Sequence, residues 1–351
     1  MRLIRERHFL CFNLADDKYS LRGLGLLALV YFGALLVSAV LSPMVYAGVQ
    51  AWHAAAPNAV TTYIHGKGFD DYFDRVRWLP VLIGLPWLMS VCGLWGKGNL
   101  GFRLSWSQIG DSVSWLTLGI TFMAVVVLTQ MAFIDVSLAA KYLDSGLEAV
   151  LIKALISALC VALLEQLIFR GLIFRLFYSA FRPWVAIWGA AAFFAYTHFK
   201  MPGAVWDQTG GAVHWYSGFY VLFWNLLAIT RAFQFVPFIN LLLLGVLHNL
   251  VFIRTRSLWP GVGLHAGFVF IIMSYQKLFN TLGARVMDYT AEGSVHWGFG
   301  WNLVTLVGTE RIVDGFLPAI LLAVYSWYYW KHSYPVPVLE DTVASTESQR
   351  N

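Results

Sequence analysis

Charge is what this sequence has least of. Only 12% of its 351 residues are Asp, Glu, Lys or Arg, about half the share usual in a soluble domain. So few ionic groups cannot coat a water-facing surface, which excludes an ordinary soluble chain. Cysteine is scarce too. Cys11, Cys92 and Cys160 are scattered without metal-ligand spacing, which excludes a disulfide framework and reads as small buried hydrophobes rather than catalytic thiols. Alternation is missing from the long apolar runs, such as 147–164, so a transmembrane β-barrel is excluded. A cleavable signal peptide is not expected either. The early apolar run 8–14 is too short and ends in Asp16-Asp17. No internal repeat is visible.

What is present is apolar. Hydrophobic residues make up 59% of the chain and the mean hydropathy is +0.64. Sixteen Trp and sixteen Tyr suit two interfacial belts, where a ring buries its face and wets its polar edge. These features predict an all-α, polytopic helical membrane protein. Apolar runs near 24–47, 79–96, 112–134, 147–168, 184–200, 236–253, 258–276 and 316–330 give about eight transmembrane helices of roughly 20 residues each. Segment 217–230 is apolar but short, and reads as interfacial or re-entrant. The net charge of +5 is no nucleic-acid signal, because its cations cluster at segment ends. Their distribution puts both termini in the cytoplasm if 217–230 does not cross. The expected organisation is N-terminal membrane helices over 1–146, a helical core over 147–280, a loop and last helix over 281–331, and a disordered cytoplasmic tail over 332–351.

Three apolar segments carry ionisable groups. Glu165, Gln166 and Arg170 lie in Leu163-Leu164-Glu165-Gln166-Leu167-Ile168-Phe169-Arg170-Gly171, His198 in Phe194-Ala195-Tyr196-Thr197-His198, and His265 in Gly263-Leu264-His265-Ala266-Gly267. A charge at bilayer depth costs at least about 2.5–3.5 kcal/mol, so such residues are functional candidates by default. Helical rise converts spacing into depth. Glu165 lies 17 residues before the Arg182-Pro183 tip and His198 lies 16 after Arg182, so both rise roughly 25 Å from it. Around Arg256-Ser257, His265 lies nine residues after Arg256 and Asn249 seven before, again at similar depth. Gln166 and Arg170, four apart, share a helix face as a structural pair, while Glu165 points elsewhere. His248 reads as a helix-packing histidine.

These elements resemble the CAAX protease and bacteriocin-processing (CPBP, or Abi) family of intramembrane glutamic proteases. Its pattern is Glu-Glu-x-x-x-Arg, then Phe-x-x-x-His, then His-x-x-x-Asn. The chain reads Glu165-Gln166-Leu167-Ile168-Phe169-Arg170, then Phe194 to His198, then His265-Ala266-Gly267-Phe268-Val269 after an Arg254-Thr255-Arg256-Ser257-Leu258-Trp259 lead-in. The resemblance covers about 150 to 275. It implies that Glu165 and His198 activate a water and that His265 stabilises the oxyanion, with no cofactor and no metal. Two positions depart from the pattern. Gln166 replaces the second glutamate, and Val269 stands where the family has the oxyanion asparagine. Asn249 is the expected substitute donor.

The leading expectation is therefore an endopeptidase of a prokaryotic inner (plasma) membrane. Its partners would be the lipid bilayer and a membrane-associated protein or peptide, with or without a C-terminal processing signal, and not nucleic acid. Three alternatives stand beside it. One is a non-catalytic relative acting as a peptide-binding immunity or scaffold protein, which Val269 favours. Another is a proton-coupled transporter, which inverted repeats would favour. The last is a zinc peptidase with a His₂Glu site, although no His-Glu-x-x-His helix occurs.

Overall fold

A computed structural model describes residues 17–92, 106–132, 134–138, 146–199, 212–231, 234–284 and 315–333. The helices are α1 (Asp17–Ala55), α2 (Ala59–His65), α3 (Phe69–Val91), α4 (Trp106–Met131), α5 (Leu147–Gln166), α6 (Phe174–Ala180), α7 (Pro183–Tyr196), α8 (Ser217–Arg231), α9 (Phe235–Thr255), α10 (Trp259–Leu278) and α11 (Phe316–Ser333). A π-helical turn, Leu167–Ile173, joins α5 to α6 in one continuous rod. Strands β1 (Ile134–Leu138) and β2 (Phe279–Ala284) form a two-stranded antiparallel ladder with a bulge at Asp135/Val136. The fold is otherwise helical, as the composition requires. Each expected apolar run coincides with a helix over most of its described length. Four stretches of the described residues are long and apolar enough to cross a bilayer: Leu21–Ala55, Trp106–Met131, Leu147–Ala180 and Phe235–Thr255. The chain is an integral helical membrane protein. Segment 217–230 is the 15-residue helix α8, below the roughly 20 residues a span needs.

The chain forms two compact units. The first takes 95–194 and 235–351 of the body, and the second takes 14–94 and 195–234. The segment expected as one core, 147–280, is thus shared between them.

In the first unit, α10 packs against α4 and α5. Residues Val150, Ala154, Ala158, Ala162 and Gln166 are the buried row of α5. Their spacing of four makes one ridge, and the small alanines let α10 approach until Ala162 meets Val262 and Ala266. The opposite face shows Ile152, Ile156, Leu159 and Leu163 outward. A helix apolar all round belongs in lipid. Cys160 lies exposed on that helix, which corrects the expectation of burial: the alanine row, not the cysteine, faces the protein. Cys92 is buried as expected, and Cys11 lies outside the described residues. On its other side α10 carries Gly263 and Gly267. A Cβ at Gly267 would come 2.6 Å from the Leu116 carbonyl, and one at Gly263 would strike Ser112 of α4. This Gly-x-x-x-Gly face brings two backbones together, and His265, two residues from each glycine, points from the opposite side of the helix.

In the second unit, α1 packs against α3 and α8 around Leu35, Ala39, Phe69, Phe73 and Val221. Gly218 lets α8 sit directly on the Ala39 backbone. Buried polar groups here are hydroxyls that bond to backbone. Ser38 Oγ donates to the Phe73 carbonyl at 2.6 Å. Asn58 caps α2, accepting from Val60 and Thr61 N–H at 2.9 and 3.0 Å. Thr61 Oγ1 accepts from the Asn58 N–H at 2.8 Å, completing a capping box.

Candidate active site

The end of α5 and the π-turn set the first wall of the site. Five residues apart on a regular helix leaves two side chains about 140° from each other. The wider i→i+5 turn at Leu167–Ile173 narrows that angle, and Glu165 is near enough for its charge to act on the guanidinium. Such single π-turns occur mostly at functional sites. The same turn changes the expected Gln166–Arg170 pair. No hydrogen bond joins them among the described residues. Instead Arg170 Nη2 donates to the Gly245 carbonyl at 3.1 Å, and the guanidinium lies 4.9 Å from the Phe194 ring centroid, a cation–π distance. The Gln166 amide packs against Gly261 so closely that a Cβ there would sit 2.6 Å from its Oε1. Gln166 and Arg170 are each 1% exposed.

The α9–α10 hairpin supplies the second wall. Its turn has Arg256 at φ 52°, a left-handed position that lets the chain reverse within three residues. Thr255 Oγ1 fixes this corner by donating to the Val251 carbonyl at 2.9 Å. His265 is 4% exposed. Its Nε2 lies 3.4 Å from Glu165 Oε2. Apo catalytic contacts of this length commonly tighten when substrate binds. The Phe194 ring stands edge-on to His265 at 6.4 Å, so one phenylalanine touches both the arginine and the histidine of the cluster.

Asn249 is 2% exposed, and its Nδ2 donates to the Ile187 carbonyl at 2.9 Å. A side chain anchored in this way ties α9 to α7. Its neighbour His248 was read from the sequence as a packing residue, yet its ring centroid is 5.3 Å from that of His265. The depth arithmetic contained this signal, since His248 lies eight residues before Arg256 and His265 nine after, a closer match than Asn249. Val269 is apolar and half-buried. His198 follows the end of α7 in the second unit and is exposed, its N–H donating to the Ala195 carbonyl at 3.2 Å. Among the described residues no three His, Cys, Asp or Glu side chains group to hold a metal ion.

The first unit thus gathers a carboxylate, an arginine and two histidines inside a bundle of apolar helices. Within it the His265 imidazole stands 3.4 Å from the Glu165 carboxylate. Comparison with curated proteins gives no match, and comparison with solved structures gives none either. Residues 147–271 match the family model described as Type II CAAX prenyl endopeptidase Rce1-like. That stretch contains Glu165, Arg170, His198, His248 and His265, and over it this membrane protein is similar to the Rce1-like CAAX prenyl endopeptidases.

Proposed function

We propose that the chain is an intramembrane endopeptidase of glutamic type. It hydrolyses a peptide bond in a membrane-associated protein or peptide, including one with a C-terminal processing signal. The observation that carries this reading is the 3.4 Å approach of His265 Nε2 to Glu165 Oε2 in a site walled by apolar helices. Water attacks the scissile carbonyl carbon as Glu165 takes its proton. The proton then passes to the leaving amine as the tetrahedral intermediate collapses. General-base help of this kind contributes typically about 10²–10⁴ in rate. His265 holds the carboxylate before attack and offers its N–H to the developing oxyanion, the role the family resemblance gives it. The same resemblance gives His198 a share in activating the water, which His198→Ala tests.

The test compares membrane proteomes of cells carrying wild type or Glu165→Gln. The substitution keeps size and hydrogen bonding but removes the base. A membrane-anchored protein accumulating uncut in the variant supports the reading, and the same protein cut equally by purified wild type and variant overturns it. A second reading is a non-catalytic relative that holds a peptide in the same site, favoured by apolar Val269 in place of an oxyanion donor. Its mark is an intact peptide retained equally by both proteins.

A further inference from the structure

The cluster contains one polar side chain that neither the family pattern nor the reaction above uses. His248 is 0% exposed. Its Nδ1 lies 2.8 Å from the Leu244 carbonyl. A carbonyl only accepts, so Nδ1 carries the proton, and in the neutral ring Nε2 is left as a bare lone pair. That Nε2 has no hydrogen-bond partner among the described residues. A buried acceptor left without a donor is costly, so the feature calls for a donor that arrives in some state of the site.

The neighbours restrict what that donor is. The imidazole of His265 is 5.3 Å away between centroids and tilted by 57°. The His248 ring also stands edge-on to Phe268, 6.4 Å away at 83°, and lies beside the Gly261 backbone. The charged and titratable groups around it among the described residues are Arg170 and His265, with Glu165 beyond His265. Arg170 is directed to the Gly245 carbonyl and the Phe194 ring. Both backbone partners of the His248 ring, the carbonyls of Leu244 and Gly261, are acceptors, so they call on its N–H and leave the Nε2 lone pair to another donor.

We infer that His248 is a positioning residue for His265. Its Nε2 accepts a hydrogen bond from His265 Nδ1–H, directly or through one water, while His265 Nε2–H serves the Glu165 side. The chain of donors then runs from His265 Nδ1 to His248 Nε2, and from His248 Nδ1 to the Leu244 carbonyl. No bond is made or broken in His248. It holds the His265 ring with both nitrogens protonated, the form in which His265 faces a carboxylate on one edge and an acceptor on the other. The acceptor edge also explains why His248 does not stand in for the family's missing asparagine. An oxyanion needs a donor, and the only N–H of neutral His248 is committed to Leu244.

The inference rests on the protease reading only for its kinetic arm. Three proteins are compared: wild type, His248→Phe, which keeps a flat ring without nitrogen, and His248→Gln, whose Oε1 can accept. The expected result is a kcat about 10–100-fold lower in His248→Phe with KM unchanged, the range seen when a group orienting a functional histidine is lost. His248→Gln should recover most of that loss, and the pH profile of kcat should move in His248→Phe but not in His248→Gln. Imidazole ¹⁵N spectra of the wild-type protein in lipid nanodiscs supply the arm that needs neither turnover nor a folded variant. They should show His248 protonated on Nδ1 and hydrogen-bonded at a bare Nε2. Wild-type kinetics in His248→Phe, or a His248 ring protonated on Nε2 alone, overturns the inference. If the protease reading itself fails, Glu165→Gln has no effect on processing while the ¹⁵N result still decides the role of His248.

Discussion

The two units differ in the kinds of polar side chain they bury. Among the described residues the second unit buries only hydroxyls, Ser38, Ser42, Thr61 and Ser217, whereas the first buries the hydroxyls of Ser257, Ser274 and Ser326 and, beside them, amides such as Gln166 and Asn249 and the ionisable Arg170, Arg175, His248 and His265. Hydroxyls of the second unit return to nearby backbone, as Ser38 does to Phe73 and Thr61 to Asn58. In the first unit the ionisable side chains of Arg170, His248 and His265 lie around one cluster with Glu165. Hydroxyls in a membrane helix find a carbonyl locally and cost little, whereas charges must be paired or used. Burial of polar atoms therefore does not mark a site here. Mutual orientation of ionisable groups does.

The largest expected effect breaks the comparison outright. In Glu165→Gln, turnover should fall by about 10²–10⁴-fold in a protein that inserts and melts like wild type, measured on purified enzyme. Second is Arg170→Met, which removes the cation near Glu165. The buried guanidinium also gives up its bond to the Gly245 carbonyl, for a loss of about 1–3 kcal/mol readable as lowered thermal stability. Combining it with Glu165→Gln should recover part of that loss through the coupling of the two charges. Additive losses would show that Arg170 acts only through Gly245 and Phe194.

Asn249→Ala comes next. The lost bond to Ile187 should lower stability by about 1–3 kcal/mol and leave kcat of the folded protein unchanged. A 10²–10³-fold fall in kcat without a change in melting would return the oxyanion role to Asn249. Smallest is Ser38→Ala in the second unit, expected to cost about 1 kcal/mol with no change in turnover. A change in turnover there would remove the distinction between the units.

The residues of the site were legible in different degrees. Glu165 and His265 stood out because each breaks a long apolar run, and hydrophobic periodicity needs no tertiary information to show a break. Pairing was less legible. The sequence spacing joined Glu165 to His198 and Gln166 to Arg170 by assuming a regular helix of 3.6 residues per turn. The π-turn at Leu167–Ile173 is invisible to that assumption, and it narrows the angle between Arg170 and Glu165. Asn249 and His248 are adjacent, so depth alone separated them poorly. Which one faces His265 depends on the rotation of α9, which is set by packing of Gly245 against Ala191.

By itself the sequence determined the solvent of this protein, its helical class and the likeness of its 147–271 segment to a family model. The reason is that a bilayer leaves backbone groups no partner but the helix itself, so apolar length suffices to specify the element. Only the tertiary structure decided who meets whom. Close approach at Gly263, Gly267 and Gly119 and the single π-turn fix the rotation of each helix about its axis. That rotation, not depth, brings His265 to Glu165 and His248 to His265.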